Sequence, residues 1–131
     1  GAPWMNANEV MGKINLLSGA KLSSVNFTPV SMPGKSKYPK FENELCGGIM
    51  IKVTDMDKFE PIKLAVSILK AMQELYPDNF KILENNFLDK LYGSENLKNN
   101  IINDSRIDEL IVTWNHDSKE FKKLSNRFRL Y

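Results

Sequence analysis

Two prolines frame the most constrained stretch of this chain. Pro61 suits the first position of a helix, where its missing N–H leaves no bond unmade, and Pro77 cannot continue one. Between them Ile62, Ala65, Val66, Leu69, Met72 and Tyr76 recur at helical spacing. A helix with one apolar stripe must bury it against another element. The preceding segment reads as a strand: from Gly48 to Thr54, Ile49, Ile51 and Val53 alternate with Met50, Lys52 and Thr54, the period of a strand with two distinct faces.

The remaining elements are read from caps and breakers. Asn6 followed by Glu9 fits a capping box, in which each side chain satisfies an N–H at a helix start. It predicts a helix from Ala7 to Leu17, with Val10, Ile14 and Leu17 as its stripe and Gly19 as its end. Leu22 to Val30 reads as a strand in which Val25 and Phe27 alternate with polar neighbours, and Pro29 confines it to an edge or an end. Ser31 to Glu44 has neither period and reads as a long loop. Asn79 to Asn86 fits either a short strand or a turn. Phe87 to Tyr92 reads as one or two helical turns ended by Gly93. Ser94 is placed to cap a short helix carrying Leu97, Ile101 and Ile102, and Ser105 to cap a last helix with Asp108 and Glu109 in its first turn. Ile107, Leu110, Ile111, Trp114, Phe121, Leu124 and Phe128 give that helix an apolar stripe expected to dock on the core.

Helices flank few strands without βαβ alternation. The expected class is therefore α+β: a small mixed or antiparallel sheet of about two to four strands, packed with about four to five helices. At 131 residues, with 42% hydrophobic and 26% charged residues, the composition fits a single domain, residues 1–131. No apolar run reaches the length of a membrane span. The net charge of +2 is too small to argue for a nucleic-acid partner. One cysteine, Cys46, rules out an internal disulfide. The opening Gly1-Ala2-Pro3-Trp4 lacks an initiator Met and a signal pattern, so the chain is expected to be processed or truncated, with any targeting segment upstream.

His116 is the sole histidine, so neither a histidine metal site nor a catalytic triad can be assembled, and its pairing with Asp117 reads as surface chemistry. No metal or cofactor is expected. Glu42 and Glu44 are paired carboxylates of the kind glycosidases use, but the commoner role for such residues in a charged loop is solvation. Cys46-Gly47-Gly48 stands at the mouth of a strand, where glycines permit either close approach of a ligand or a simple bend. Lys35, Ser36, Lys37 and Tyr38 bring cations, a hydroxyl and a phenol into one loop; a ligand-binding loop and a solvated basic loop both fit. The spacing of Trp114, Phe121 and Phe128 reads as core rather than a sugar platform, whereas Trp4 is the better candidate for an exposed or interface aromatic.

Several segments taken in order resemble one family. GAPW at Gly1 to Trp4, FTPV at Phe27 to Val30, SKY at Ser36 to Tyr38, LCGGIMIKVTD at Leu45 to Asp55, LYPDNF at Leu75 to Phe80 and the closing FRLY at Phe128 to Tyr131 are similar to the C-terminal part of the exo-β-N-acetylmuramidase family, long described as a domain of unknown function. The likeness spans essentially the whole chain, and its most distinctive piece is CGG followed by the VTD strand. Met56 departs from it, standing where the resemblance leads one to expect an arginine.

The resemblance implies a two-domain glycoside hydrolase whose larger, Rossmann-like N-terminal domain carries the catalytic glutamate. This chain would be the smaller domain bordering the cleft, inactive alone, with no catalytic residue of its own. The implied substrate is a peptidoglycan-derived muropeptide or N-acetylmuramic acid glycoside, and the implied location is the periplasm or outside the cell. Ser36, Lys37, Tyr38, Cys46, Gly47 and Gly48 are then the expected substrate-binding residues. Two alternatives stand beside this: a non-catalytic glycan- or protein-binding module using the same loop with Trp4, and a self-contained enzyme using Glu42 or Glu44.

Overall fold

The first helix starts where Asn6 stands. In the computed structural model, which describes residues 1–14, 18–83, 85, 87–102 and 107–129, Asn6 Oδ1 accepts the N–H groups of Asn8 and Glu9 at 3.0 and 3.5 Å. The expected box is not closed by Glu9. The Asn6 N–H donates instead to the Tyr76 hydroxyl at 2.8 Å, and the Glu9 carboxylate accepts from Asn6 Nδ2 at 3.0 Å and from that hydroxyl at 3.2 Å. A residue far along the chain thus completes the cap. Helix α1 is Ala7–Lys13, shorter than expected: Ile14 is already extended, with φ −87° and ψ 116°. The rest of the expected helix, residues 15–17, lies outside the described residues.

Gly19 lies beyond the end of α1. Its φ of +81° turns the chain into strand β1, Ala20–Phe27, and its carbonyl accepts the N–H groups of Thr54 and Asp55 at 2.9 and 3.2 Å. A Cβ there would stand 2.6 Å from the Asp55 oxygen and the Phe59 nitrogen, so the approach needs glycine. β1 stops before Pro29, and β2 is Cys46–Val53. The two pair antiparallel from Ala20 opposite Val53 to Phe27 opposite Cys46. β2 therefore begins earlier than its alternation suggested, because Cys46 and Gly47 already have partners.

Helix α2, Pro61–Leu75, forms as expected, with Pro61 in its first turn. Its inward face keeps Val66 and Met72 of the stripe read in the sequence and adds Leu64 and Ala71. Ile62 and Ala65 are exposed, while Ala71 and Met72 are buried beside Ile68, Leu75 and Tyr76. Two stripes overlap along this helix, and packing against α1 selects one. α1 touches α2 and both strands, so Ala2, Met5, Ala7 and Val10 form the centre of a core closed by Ala71 and Met72, with Trp4, Phe41, Ile49 and Phe80 around it. Val10 is fully buried, which contributes about 1.5–3 kcal/mol. After α2 the Phe80 N–H returns to the Tyr76 carbonyl at 2.8 Å, so the undecided segment begins as a turn.

Residues 1–82 form one compact unit and residues 83–131 a second. The second holds α3 Phe87–Tyr92, α4 Asn96–Ile102 and α5 Ile107–Ser125. Asn85 Oδ1 accepts the Phe87 N–H at 3.1 Å, and Gly93, at φ +88°, ends α3 as expected. Leu97 and Ile101 are buried, whereas Ile102 is exposed. The Trp114 ring lies 6.0 Å from that of Tyr92, and its indole N–H donates to the Tyr92 hydroxyl. Leu110 and Ile111 are half-buried, but the expectation for the far end of the stripe is corrected: Phe121, Leu124 and Phe128 are exposed. The expected Ser105 cap and the last residues, 130 and 131, lie outside the described residues. Among the described residues one two-stranded antiparallel sheet and five helices make the fold α+β. Among the described residues no helix is long and apolar enough to cross a membrane.

Candidate functional site

The connection between β1 and β2 has no regular structure but is tied internally at three levels. At its base the Asn43 N–H donates to the Pro29 carbonyl at 2.9 Å and the Glu44 N–H to the Phe41 carbonyl at 3.1 Å. In its middle Ser31 joins both limbs: its N–H donates to Glu42 Oε1 at 3.1 Å and its hydroxyl to the Lys37 carbonyl at 2.7 Å. At its tip Met32 and Ser36 form a bridge around Gly34, whose φ is +78°. Phe41 and Asn43 adopt φ of 58° and 64°, a region costly for an aromatic residue unless its surroundings hold it there. The Phe41 ring packs on the core and supplies that restraint.

This frame leaves Lys35, Ser36, Lys37 and Tyr38 exposed together. Tyr38 is 82% exposed, with Lys37 Nζ 5.3 Å from its ring centroid, within cation–π range. Lys40 Nζ stands 5.0 Å from the Phe41 ring. An exposed phenol beside ammonium groups and a hydroxyl can stack on a sugar face, pair with a carboxylate and hydrogen-bond hydroxyls. Glu42 is engaged in holding Ser31. His116 lies in α5, exposed, 3.3 Å from Asp117 Oδ1. Among the described residues no cluster of His, Cys, Asp and Glu suits a metal ion.

The other expected triplet lies elsewhere in character. Cys46 is fully buried, its thiol 3.6 Å from the Glu44 carbonyl. Gly47 exchanges both backbone bonds with Ala2, at 3.0 and 3.1 Å. A Cβ on Gly47 would stand 2.3 Å from the Met5 oxygen, and one on Gly48 would stand 2.9 Å from the Phe27 ring. The glycines permit a close approach, but what approaches is the protein's own N-terminal segment and an aromatic ring. The structure therefore separates the six expected residues into an exposed tip, Ser36 to Tyr38, and a packed strand start, Cys46 to Gly48. Trp4 is half-buried rather than exposed and packs on Tyr76, with ring centroids 5.2 Å apart.

Three residues that sequence reasoning passed over organise this region: Ser31, Phe41 and Asp55. Asp55 accepts the N–H groups of Asp57 and Lys58 at 3.1 and 3.3 Å and pairs with Lys58 Nζ at 3.0 Å. The Lys58 ammonium, helped by those N–H groups, holds its carboxyl below the ordinary value against the opposing effect of desolvation. It fixes the turn leaving β2, and the neighbouring Met56, where an arginine was expected, is 80% exposed.

The family model described as exo-beta-N-acetylmuramidase NamZ, C-terminal, matches residues 1–131. The peptidoglycan beta-N-acetylmuramidase NamZ of Bacillus subtilis (strain 168) is 29% identical over 133 residues, covering all of this chain but only 30% of that protein. The crystal structure of a DUF1343 family protein from Bacteroides fragilis superposes with a TM-score of 0.79 at 20% identity, over 98% of this chain and 33% of that one, which establishes a shared fold. The chain thus spans about a third of the length of these relatives.

Proposed function

The chain belongs to the C-terminal family of the exo-β-N-acetylmuramidase NamZ, and we propose that it is the auxiliary lobe of a longer peptidoglycan glycosidase, bordering a substrate cleft whose catalytic groups lie in the preceding domain. One observation carries this reading: the family match runs the full length of the chain, yet that length is only 30% of the B. subtilis muramidase. The loop chemistry fits the substrate class. A muramic acid glycoside carries a carboxylate on its lactyl group, which suits Lys37 and Lys35, and sugar hydroxyls and an apolar ring face, which suit Ser36 and Tyr38. Cys46, Gly47 and Gly48 act from below, by anchoring the strand into which the loop returns. A substrate made of cell wall supports a location of the intact protein in the periplasm or outside the cell. The preceding domain, Rossmann-like by the family resemblance, supplies the catalytic glutamate.

The test is release of N-acetylmuramic acid from a chromogenic muramide by this chain alone, by the upstream domain alone and by the two joined. Turnover only by the joined protein is the expected result. Turnover by this chain alone would move catalysis onto Glu42 or Glu44 and overturn the reading. The 82% exposure of Tyr38 favours one second reading, a glycan-binding module acting without a cleft. It predicts that this chain alone binds muropeptides as tightly as the joined protein does.

A further inference from the structure

The backbone ahead of α1 runs as a fragment of a third strand. Ala2 bridges Gly47 antiparallel and exchanges both backbone bonds with it, at 3.0 and 3.1 Å. Gly47 lies opposite Asn26 in the hairpin, yet its N–H and C=O are spent on Ala2, so they point away from β1. An antiparallel ladder alternates, so Ile49, Ile51 and Val53 direct their backbone groups the same way, while Gly48, Met50 and Lys52 bond to β1. The far end of the hairpin gives the same phase, because the Thr54 N–H donates inward to the Gly19 carbonyl at 2.9 Å. In the Ala2 register Gly1 falls opposite Gly48, and both turn to one ring: a Cβ on Gly1 would stand 2.7 Å from Phe27 and one on Gly48 2.9 Å.

Beyond the bridge this edge of β2 continues past Ile49, Ile51 and Val53. Among the described residues of the 1–82 unit, none supplies a backbone bond to them on that side. Burial falls off along the strand where the bridge ends: Cys46 and Gly48 are buried, Ile49 is half-buried, and Ile51 and Val53 are 41% and 38% exposed. An open edge is a template for a further strand, and two strands alone are marginal where three are not. We propose that the segment immediately preceding Gly1 in the longer protein is a third strand, running antiparallel along β2 so that its first, third and fifth residues, counted back from Gly1, pair with Ile49, Ile51 and Val53. Continuity names the occupant, since the Ala2 bridge sets both its direction and its register. The inference rests on the reading of this chain as the C-terminal lobe of a longer enzyme, which supplies residues before Gly1. It adds that the preceding segment enters this lobe as main chain in its sheet rather than as a slack tether.

Residue-resolved amide exchange on the full-length protein tests it. The Ile51 and Val53 amides should exchange within about tenfold of the Met50 and Lys52 amides, which bond to β1. Faster exchange than that would mean an open edge and would overturn the proposal. Proline at the third residue before Gly1, whose N–H is spent on Ile51, should speed exchange at Ile51 and Val53 by about tenfold or more. Proline at the second, whose N–H points away from β2, should leave it unchanged. Met50 and Lys52 report in each variant that the hairpin itself is intact. Protection that survives both prolines would assign the edge to another occupant and overturn the proposal, as would protection that fades on dilution, the mark of a second copy. Equal loss from both prolines would overturn the register. Muramidase activity of the same wild-type protein separates this inference from the reading beneath it. Slow exchange without activity would sink the glycosidase reading and leave the strand standing, and activity with fast exchange at Ile51 would do the reverse.

Discussion

The start of β2 and the loop that leads into it are neighbours in sequence and opposites in construction. Cys46 is fully buried and Gly47 and Gly48 admit backbone and ring atoms closer than any side chain would allow, whereas Tyr38 is 82% exposed. Around Gly47 the bonds are long-range and reciprocal: Ala2 pairs with Gly47, and Trp4 rests on Tyr76, whose hydroxyl completes the cap of α1. In the loop they are local, reaching from Ser31 only to Lys37 and Glu42. The difference teaches that a shared sequence signature carries two kinds of information. The GAPW, CGG and LYPDNF segments pack on one another, whereas the SKY tip stands exposed.

The sharpest way to break this comparison is Gly47→Ala. The new methyl would stand 2.3 Å from the Met5 oxygen, a backbone atom that cannot step aside, so the cost is about 2–4 kcal/mol and the urea midpoint falls accordingly. If the midpoint holds, the N-terminal segment does not bind Gly47 as described. Tyr76→Phe comes next. It keeps the ring against Trp4 but leaves the Asn6 N–H without its acceptor, for a loss of about 1–2 kcal/mol in the same measurement. An unchanged midpoint would mean that water serves the cap equally well.

How much of this was legible beforehand follows the same division. The α+β class, the strand from Gly48, the helix from Pro61 and the Gly93 stop were all readable, because local period and breakers decide them. The inward face of α2 was not: Ile62 and Leu64 open two stripes of similar weight, and only contact with α1 chooses between them. Nor was the role of Cys46-Gly47-Gly48, since a glycine pair looks the same whether a ligand or a distant backbone approaches it. The Tyr76 hydroxyl reaches Asn6 across 70 residues, and no local signal announces that. The exposure of Phe121 and Phe128 defeats a reading that equates an apolar stripe with a core.

Smaller effects probe the loop. Ser31→Ala removes the hydroxyl that holds the Lys37 carbonyl at 2.7 Å, with an expected loss of about 0.5–1.5 kcal/mol. In the full-length enzyme KM for a muramide should rise with it, because the tip loses its fixed position. Lys37→Ala and Tyr38→Ala remove exposed side chains, so stability should stay within about 0.5 kcal/mol while KM rises. Unchanged turnover and affinity in both variants would take the tip out of the substrate site and leave the comparison with Gly47 purely one of packing.

The smallest effect is expected at the far end of β2, where Asp55 is neither buried like Cys46 nor free like Tyr38. Its carboxyl is held below the ordinary value by Lys58 Nζ at 3.0 Å and by the Asp57 and Lys58 N–H groups. A carboxyl whose folded pKa lies below its unfolded one adds stability above the unfolded pKa and loses it as pH falls through the folded one. The wild-type protein should therefore exceed Asp55→Asn in stability at neutral pH, and the gap should close in acid, below the ordinary carboxylate range. Because the group is exposed, added salt should narrow the gap even at neutral pH. NMR titration of the Asp55 side chain checks the direction of the shift by itself. The absence of any gap at neutral pH would assign the turn to the two N–H bonds, which an asparagine oxygen also accepts, and would leave the Lys58 ion pair with no part in fixing the exit from the sheet.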